Sequence, residues 1–201
     1  MGEIISSNVI TWERATRIVE TNQLGELYRD QRTTDRYRVF KESCIANGES
    51  VVQFIVKHRL QWVSNGQVDV QPSSTRLFAN ENDVCFIPNE FPYNFSKDIT
   101  HLVVWSKLRI PCDPNSSIGD VSPRTRCVID KFIHRNFVEQ LGMCDEDVLW
   151  FRNFPSLQSV VELSHVHVLL RNFPDAFYRA IVNTSGVVLE ESEVDEIMNS
   201  D

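Results

Sequence analysis

The stretch Gln158-Ser159-Val160-Val161-Glu162-Leu163-Ser164-His165-Val166-His167-Val168-Leu169-Leu170-Arg171 decides the fold. It is rich in β-branched and large apolar residues, and Val160, Val166, Val168 and Leu170 recur at even spacing. That period of two reads as a β-strand over 158–171. Side chains alternate across a strand, so the even-numbered valines face a core. His165 and His167 then share the opposite, non-core face, and Arg171 shares their parity.

Other strands gather around this one. Val84-Cys85-Phe86-Ile87 is a short apolar run, broken by Pro88-Asn89-Glu90-Phe91-Pro92-Tyr93. His101 to Lys107 carries strong β formers and pairs with it across the loop. Asp147 to Phe151 is a fourth strand. Asn65-Gly66 marks a turn, and the polar stretch 64–82 reads as loop. Helices surround the strands. Thr11 caps one beginning at Trp12. Tyr37, Phe40, Cys44 and Ile45 follow helical spacing over 34–46, with Gly48 as the stop. A third helix follows Ser50. Ser122-Pro123 opens one that runs to about Leu141, and Pro174 opens the last. The expected class is α+β, with an antiparallel sheet. Its parts are a helical N-terminal extension over 1–63, packed on the same domain, an α+β core over 64–185, and an acidic tail over 186–201.

Charge narrows the partners. Six of the eight net negative charges lie between Glu190 and Asp201, where no Lys or Arg occurs. The tail reads as solvated or partner-binding, and the body is nearly neutral. A neutral body lacks the basic footprint of a nucleic-acid binder. No apolar run reaches membrane-spanning length, and no secretory signal opens the chain. Met1-Gly2-Glu3-Ile4-Ile5-Ser6 fits a short acylation pattern, without the polybasic segment that would strengthen an anchor. Cys44, Cys85, Cys112, Cys127 and Cys144 are odd in number and widely spaced, which speaks against a disulfide framework or zinc ribbon. They read as reduced thiols of a cytoplasmic protein, with the nucleus as an alternative.

Two imidazoles side by side on a strand have three uses. They bind a metal, they do nucleophilic or acid–base work on a phosphoester, or they are pairing residues with no chemistry. Arg171 on the same face suits an anionic phosphate, through its forked donors. Gln158 and Ser159 add neutral hydrogen-bonding groups. A metal would need a third ligand, which a distant His101 would have to supply; no metal site is assigned, and a divalent-metal site on His165, His167 and His101 stands as the third and weaker reading. The sequence names no cofactor. Trp105 and Trp150 read as core or rim aromatics, Lys107 as a solvated strand end, and His58 and His134 as helix-surface residues. His101 stands evenly between site and structure.

The run from Gln158 to Arg171 resembles the C-terminal signature of the histidine triad superfamily, Gln-[Ser/Thr]-Val followed by alternating histidines. Ile87-Pro88-Asn89-Glu90-Phe91-Pro92 with His101-Leu102-Val103-Val104 is similar to that family's preceding hairpin. The resemblance implies a five-stranded antiparallel sheet and a histidine that attacks the α-phosphate of a nucleotide. By position His165 matches the attacking histidine and His167 the last. Asn89 matches a residue near the ribose, and Gln158 one near the phosphate or leaving group. Leu163 stands where the first histidine of the triad belongs, the spacing from Gln158 to His165 is one residue longer, and Thr100 replaces a glycine.

A wider resemblance spans nearly the whole chain. Trp12, Ile18-Val19, Arg29, Arg36-Tyr37, Phe40-Lys41, Trp62, Asn89 to Tyr93, His101 to Lys107, Trp150-Phe151, Asn153 and His165 to Val168 look like the fungal N-acetylglucosamine-induced protein family, a domain of unknown function. Together these features lead to an expected binder of a phosphorylated small molecule, a nucleotide or nucleotide sugar. Turnover through His165 and His167 would make it a nucleotidyl hydrolase or transferase, with Asn89, His101, Gln158, Ser159 and Arg171 around the ligand. The alternative is a non-catalytic adaptor that meets a protein partner through its N-terminal helices or acidic tail.

Overall fold

The computed structural model describes residues 9–200. The acylation pattern at the start of the chain lies outside them. Among the described residues six α-helices surround a four-stranded antiparallel sheet and one small hairpin, so the protein is α+β. The hairpin is β1 (Val63–Ser64) with β2 (Gln67–Val68), and its tip is Asn65-Gly66, both at positive φ. A two-residue Asn-Gly turn twists the way paired strands twist, which is why this sequence closes a hairpin inside a stretch expected to be loop.

The main sheet runs β3 (Val84–Pro88), β4 (Ile99–Ser106), β6 (Ser164–Arg171), β5 (Val148–Phe151). All three pairings are antiparallel. The expected strand over 158–171 begins only at Ser164. Pro155 opens a short 3₁₀ turn through Leu157, and the chain bends through the residues before Leu163.

One parity rule holds across the whole sheet. The even-numbered residues Phe86, Leu102, Val104, Trp150, Val166, Val168 and Leu170 face one large core. α4 (Pro123–His134) closes that side with Val128, Ile129, Phe132 and Ile133. Ser122 caps it by accepting from the Thr125 amide, with Pro123 in the first turn, as the sequence indicates. The helix widens into a π turn over Arg135–Gln140, adding Phe137 to the core before Gly142.

The odd-numbered face is also covered, and here expectation and structure part. Val56, Leu60 and Trp62 pack on Cys85, Ile87, Val103 and Trp105. At the other end Trp12, Ala15 and Ile18 of α1 (Trp12–Glu20) pack on Ile99, Phe151 and Leu169. The histidine face is therefore a second interior. Alternating polar residues on a strand usually mark a solvated face, and nothing local reveals that the first third of the chain lies over this one. α2 (Gln31–Ala46) and α3 (Val51–Phe54) arch across it, α3 opening on a Ser50/Gln53 capping box and running into a π turn over Ile55–Arg59. In α2 Cys44 is buried as expected, whereas Ile45 is exposed.

The acidic C-terminal stretch corrects another expectation. α5 (Asp175–Ile181) is followed by α6 (Glu191–Asn199), a docked helix and not a solvated tail. Leu189 and Val194 enter the large core. Glu193 meets Arg135 and Lys131, and Asp195 meets Arg76. The Arg135 guanidinium and its neighbours hold the Glu193 carboxyl well below the usual carboxylate range. Two of the charges that looked like a solvated run, Glu193 and Asp195, are matched by cations from distant parts of the chain.

Candidate functional site

β4 and β6 carry the histidines to one place. In their register Trp105 lies opposite His165, Val103 opposite His167, and His101 opposite Leu169. Strand alternation puts His101, His165 and His167 on the same odd face. All three are buried, at 7%, 7% and 5% exposure.

Hydrogen bonds order the rings. His167 Nδ1 lies 3.0 Å from His101 Nε2. On its other side, His167 Nε2 accepts from the Asn153 amide at 3.2 Å. The same amide donates to the Tyr93 hydroxyl at 2.9 Å. Asn89 donates toward His101 Nε2 at 3.2 Å, while its side-chain oxygen accepts from the Phe91 amide. These donors assign the protons: His167 carries its hydrogen on Nδ1 and gives it to His101. Phe151 stacks on His167 at 4.8 Å and Tyr93 on His101 at 5.8 Å, so both rings are clamped.

His165 is held differently. Its Nδ1 lies 3.1 Å from the Leu163 carbonyl. A carbonyl only accepts, so Nδ1 carries the proton and Nε2 keeps a lone pair. That Nε2 makes no hydrogen bond among the described residues. Burial pushes all three imidazoles toward the neutral form: His165 to about 4, His101 to about 3, and His167 well below its ordinary value. Nearby guanidinium groups, Arg29 for His101 and His167 and Arg152 for His165, push the same way.

His165 opens onto a cavity of about 90 Å³ that Arg29, Asn89, Trp105, Asn153 and Ser159 also line. Tyr37 and Phe40 of α2 and Val51 and Ile55 form its roof. A space of this size takes a small anion and some water. Past Phe40, Phe91 and Arg59 it adjoins an open groove of about 1050 Å³ along α2. Arg59 at this mouth is neutralised by Glu90, 2.6 Å away. Arg29 is held by other means. It donates to the Phe91 carbonyl at 2.8 Å and lies over the Tyr37 and Tyr93 rings, each at 5.2 Å. It makes no ion pair among the described residues.

The structure brings together most of the residues singled out in sequence. Asn89, Ser159, His165 and His167 line the cavity. His101 lies behind His167 as a second layer. Gln158 turns away and donates to the Asn153 carbonyl at 2.8 Å, bracing the segment that holds Asn153. Arg171 has the expected parity but is not in the cavity lining; its guanidinium pairs with Asp147 at 2.6 Å and covers Trp12. Four residues along a strand is about 13 Å, so shared parity with His167 is not proximity. Arg29 and Asn153 escaped the sequence reading as site residues. The one available signal for Asn153 was its position just after β5, whose Phe151 pairs with His167. Among the described residues no three His, Cys, Asp or Glu side chains are grouped to hold a metal. None of the described helices is long and apolar enough to cross a membrane.

The chain belongs to the family described as protein of unknown function (DUF3605), whose model matches residues 11–171. It is 32% identical to N-acetylglucosamine-induced protein 1 of Candida albicans, over 94% of this chain and 79% of that protein. It is 30% identical to the uncharacterized protein YPL067C of Saccharomyces cerevisiae, over 84% and 82% of the two lengths. Its fold is similar to the crystal structure of HTC1, with a TM-score of 0.66 and 26% identity, over 94% of this chain and 93% of that one.

Proposed function

We propose that this DUF3605 protein binds a phosphorylated small molecule, a nucleotide or nucleotide sugar, with one phosphoryl group in the cavity at His165, and that it is a nucleotidyl hydrolase or transferase using that histidine as nucleophile. The observation that carries the reading is the His165 ring itself: Nδ1–H tied to the Leu163 carbonyl, Nε2 bare, neutral, and on the cavity. A neutral imidazole with a fixed tautomer is a nucleophile at physiological pH without a base to deprotonate it. The resemblance of the His165-Val166-His167 strand to the histidine triad superfamily supports the same chemistry.

The step balances. The Nε2 lone pair forms an N–P bond while the P–O bond to the leaving group breaks. The leaving oxygen departs with the bonding pair and is protonated from solvent at the groove. Positive charge on the imidazole is shared with the Leu163 carbonyl through Nδ1–H. Water, or a second acceptor hydroxyl, then attacks phosphorus; the N–P bond breaks with its electron pair returning to Nε2, and the proton of the attacking oxygen passes to solvent at the groove. Arg29, without a carboxylate partner among the described residues, takes the charge-stabilising part that Arg171 was expected to play. His167 is held on both ring nitrogens, so its part is to position Asn153 and not to shuttle a proton. The small cavity suits the phosphoryl group, and the groove along α2 suits the remainder of the ligand. The thiols of all five cysteines are unpaired, which fits a reducing, intracellular setting.

The test has two stages. A thermal-shift panel of nucleotides, nucleotide sugars and sugar phosphates identifies ligands, since binding raises the melting temperature by mass action. Rapid acid-free quenching with an α-³²P-labelled ligand then traps label on wild type but not on His165→Ala. Absence of a labelled intermediate with a ligand that is turned over removes the mechanism. A second reading, a binding module without catalysis, is favoured by Leu163: where a first triad histidine would stand, a leucine is buried in the apolar cluster under α3. Ligand-dependent stabilisation with no turnover of any member of the panel is its signature.

A further inference from the structure

Two buried polar atoms on the cavity lining lack a hydrogen-bond or ion-pair partner among the described residues, the Trp105 indole N–H, a donor, and the Asn153 side-chain oxygen, an acceptor that a protonated ligand oxygen or a water completes. The Trp105 indole lines the cavity beside His165, with ring centroids 4.5 Å apart. The side chain is 6% exposed, and its Nε1 has no hydrogen-bond partner among the described residues. Trp150, by contrast, gives its indole N–H to Asp130. An indole N–H only donates, so whatever completes Trp105 presents an acceptor. Buried donors left unpaired are costly and uncommon, and those that persist call for a partner. The neighbours restrict what that partner is. Arg29 lines the same cavity, and no acidic side chain except Glu90, paired to Arg59, does so. An anionic oxygen fits this set.

We infer that Trp105 is a ligand-binding residue whose indole N–H donates to an oxygen of the phosphoryl group that sits at His165. This deepens the phosphoryl reading above and rests on it. Trp105 is also a core aromatic, its ring buried in one cluster with Val56, Leu60 and Trp62. The donor is the part that packing does not use. The cross-strand pairing with His165 sets the donor and the nucleophile side by side on adjacent strands.

The test separates this inference from the phosphoryl reading. Wild type and Trp105→Phe are titrated with inorganic pyrophosphate, AMP and UDP-N-acetylglucosamine by calorimetry. Phenylalanine keeps an aromatic filler and deletes the donor. Loss of a hydrogen bond to a charged oxygen weakens binding by about 10-fold or more. In parallel, ¹⁵N-labelled wild type is followed by NMR. The indole ε1 resonance that is missing in Trp105→Phe moves on adding the probe that binds. Affinity unchanged in Trp105→Phe, or an indole resonance that stays in place while calorimetry shows binding, overturns the role of Trp105 and leaves the phosphoryl reading standing. No binding of any probe to wild type overturns both. Should Trp105→Phe prove poorly folded, the wild-type resonance decides alone, assigned through the ring protons of Trp105.

Discussion

His167 and His101 share a 3.0 Å hydrogen bond between Nδ1 and Nε2, across neighbouring strands and out of reach of solvent. Two imidazoles this close and this buried cannot both be cations. The pair is neutral, and its proton lies between the rings in a direction that the Asn153 and Asn89 amides set. The cavity-lining ring, His165, is thus backed by a polar layer.

That layer makes stability depend on acidity. The folded values for His165 and His101 are depressed to about 4 and about 3, against an ordinary 6.5. Between those limits the unfolded chain binds more protons than the folded one. The stabilisation is full above about pH 6.5 and is lost as pH falls toward 4, at up to about 1.4 kcal/mol per pH unit for each histidine. Urea midpoints measured from pH 8 to 4 are expected to be flat and then fall. Replacing His165 by Gln should make the fall shallower.

His101→Phe should destabilise the protein by about 1–3 kcal/mol, because it orphans the His167 Nδ1–H and the Asn89 amide together. Denaturant unfolding checks this. His101→Asn, which restores an acceptor, should recover part of the loss.

Arg29→Gln and Arg171→Gln discriminate the two guanidinium groups. The first should weaken phosphorylated ligands by about 10-fold or more, and should also lower the melting temperature, since the Phe91 carbonyl and the Tyr37 and Tyr93 rings lose their guanidinium contact. The second removes a partly exposed pair with Asp147, should cost at most about 1 kcal/mol, and should leave ligand affinity unchanged. Calorimetry on both variants reads the contrast directly.

Asp83 predicts a purely structural effect. Its buried carboxylate accepts from the Ser73 and Ser74 amides, at 2.7 to 2.9 Å, fixing the segment that leads into the sheet. Asp83→Ala should lower stability by about 2–4 kcal/mol, judged by urea denaturation.

Gly186→Ala should be among the most damaging single-methyl changes. The residue sits at φ +63°, and a Cβ there would overlap the Asn136 side-chain oxygen and the Phe86 ring. The left-handed backbone alone costs about 1 kcal/mol, and the overlap adds to it. A depressed melting temperature with an unchanged circular dichroism spectrum is the expected result.

Much of this architecture is legible in the chain. The caps at Thr11, Ser50 and Ser122, the strand signals at 84–87 and 101–107, and the paired histidines all rest on local chemistry. What stayed hidden depends on long-range packing. Nothing near His165 states that α2 and α3 cover it, so a buried face looked solvated. Arg29 and Asn153 come from a loop between helices and from the end of β5, and only the folded sheet brings them to His165. Arg171 shows the opposite error, since period two reports a face and not a distance. The acidic stretch at 190–196 misled because its cations, Arg76, Lys131 and Arg135, lie far away in sequence.

The strand order has a consequence for how this protein is made. β4 lies between β3 and β6, yet β6 is made roughly sixty residues after β4, several seconds later at ordinary synthesis rates. Through that interval the β3–β4 hairpin leaves the ribosome with an unpaired apolar edge. The helices of the first third are already made and can shield one of its faces while the edge waits. Shortening that N-terminal segment would therefore do harm before any ligand is met: it would leave a nascent chain prone to associate with its neighbours.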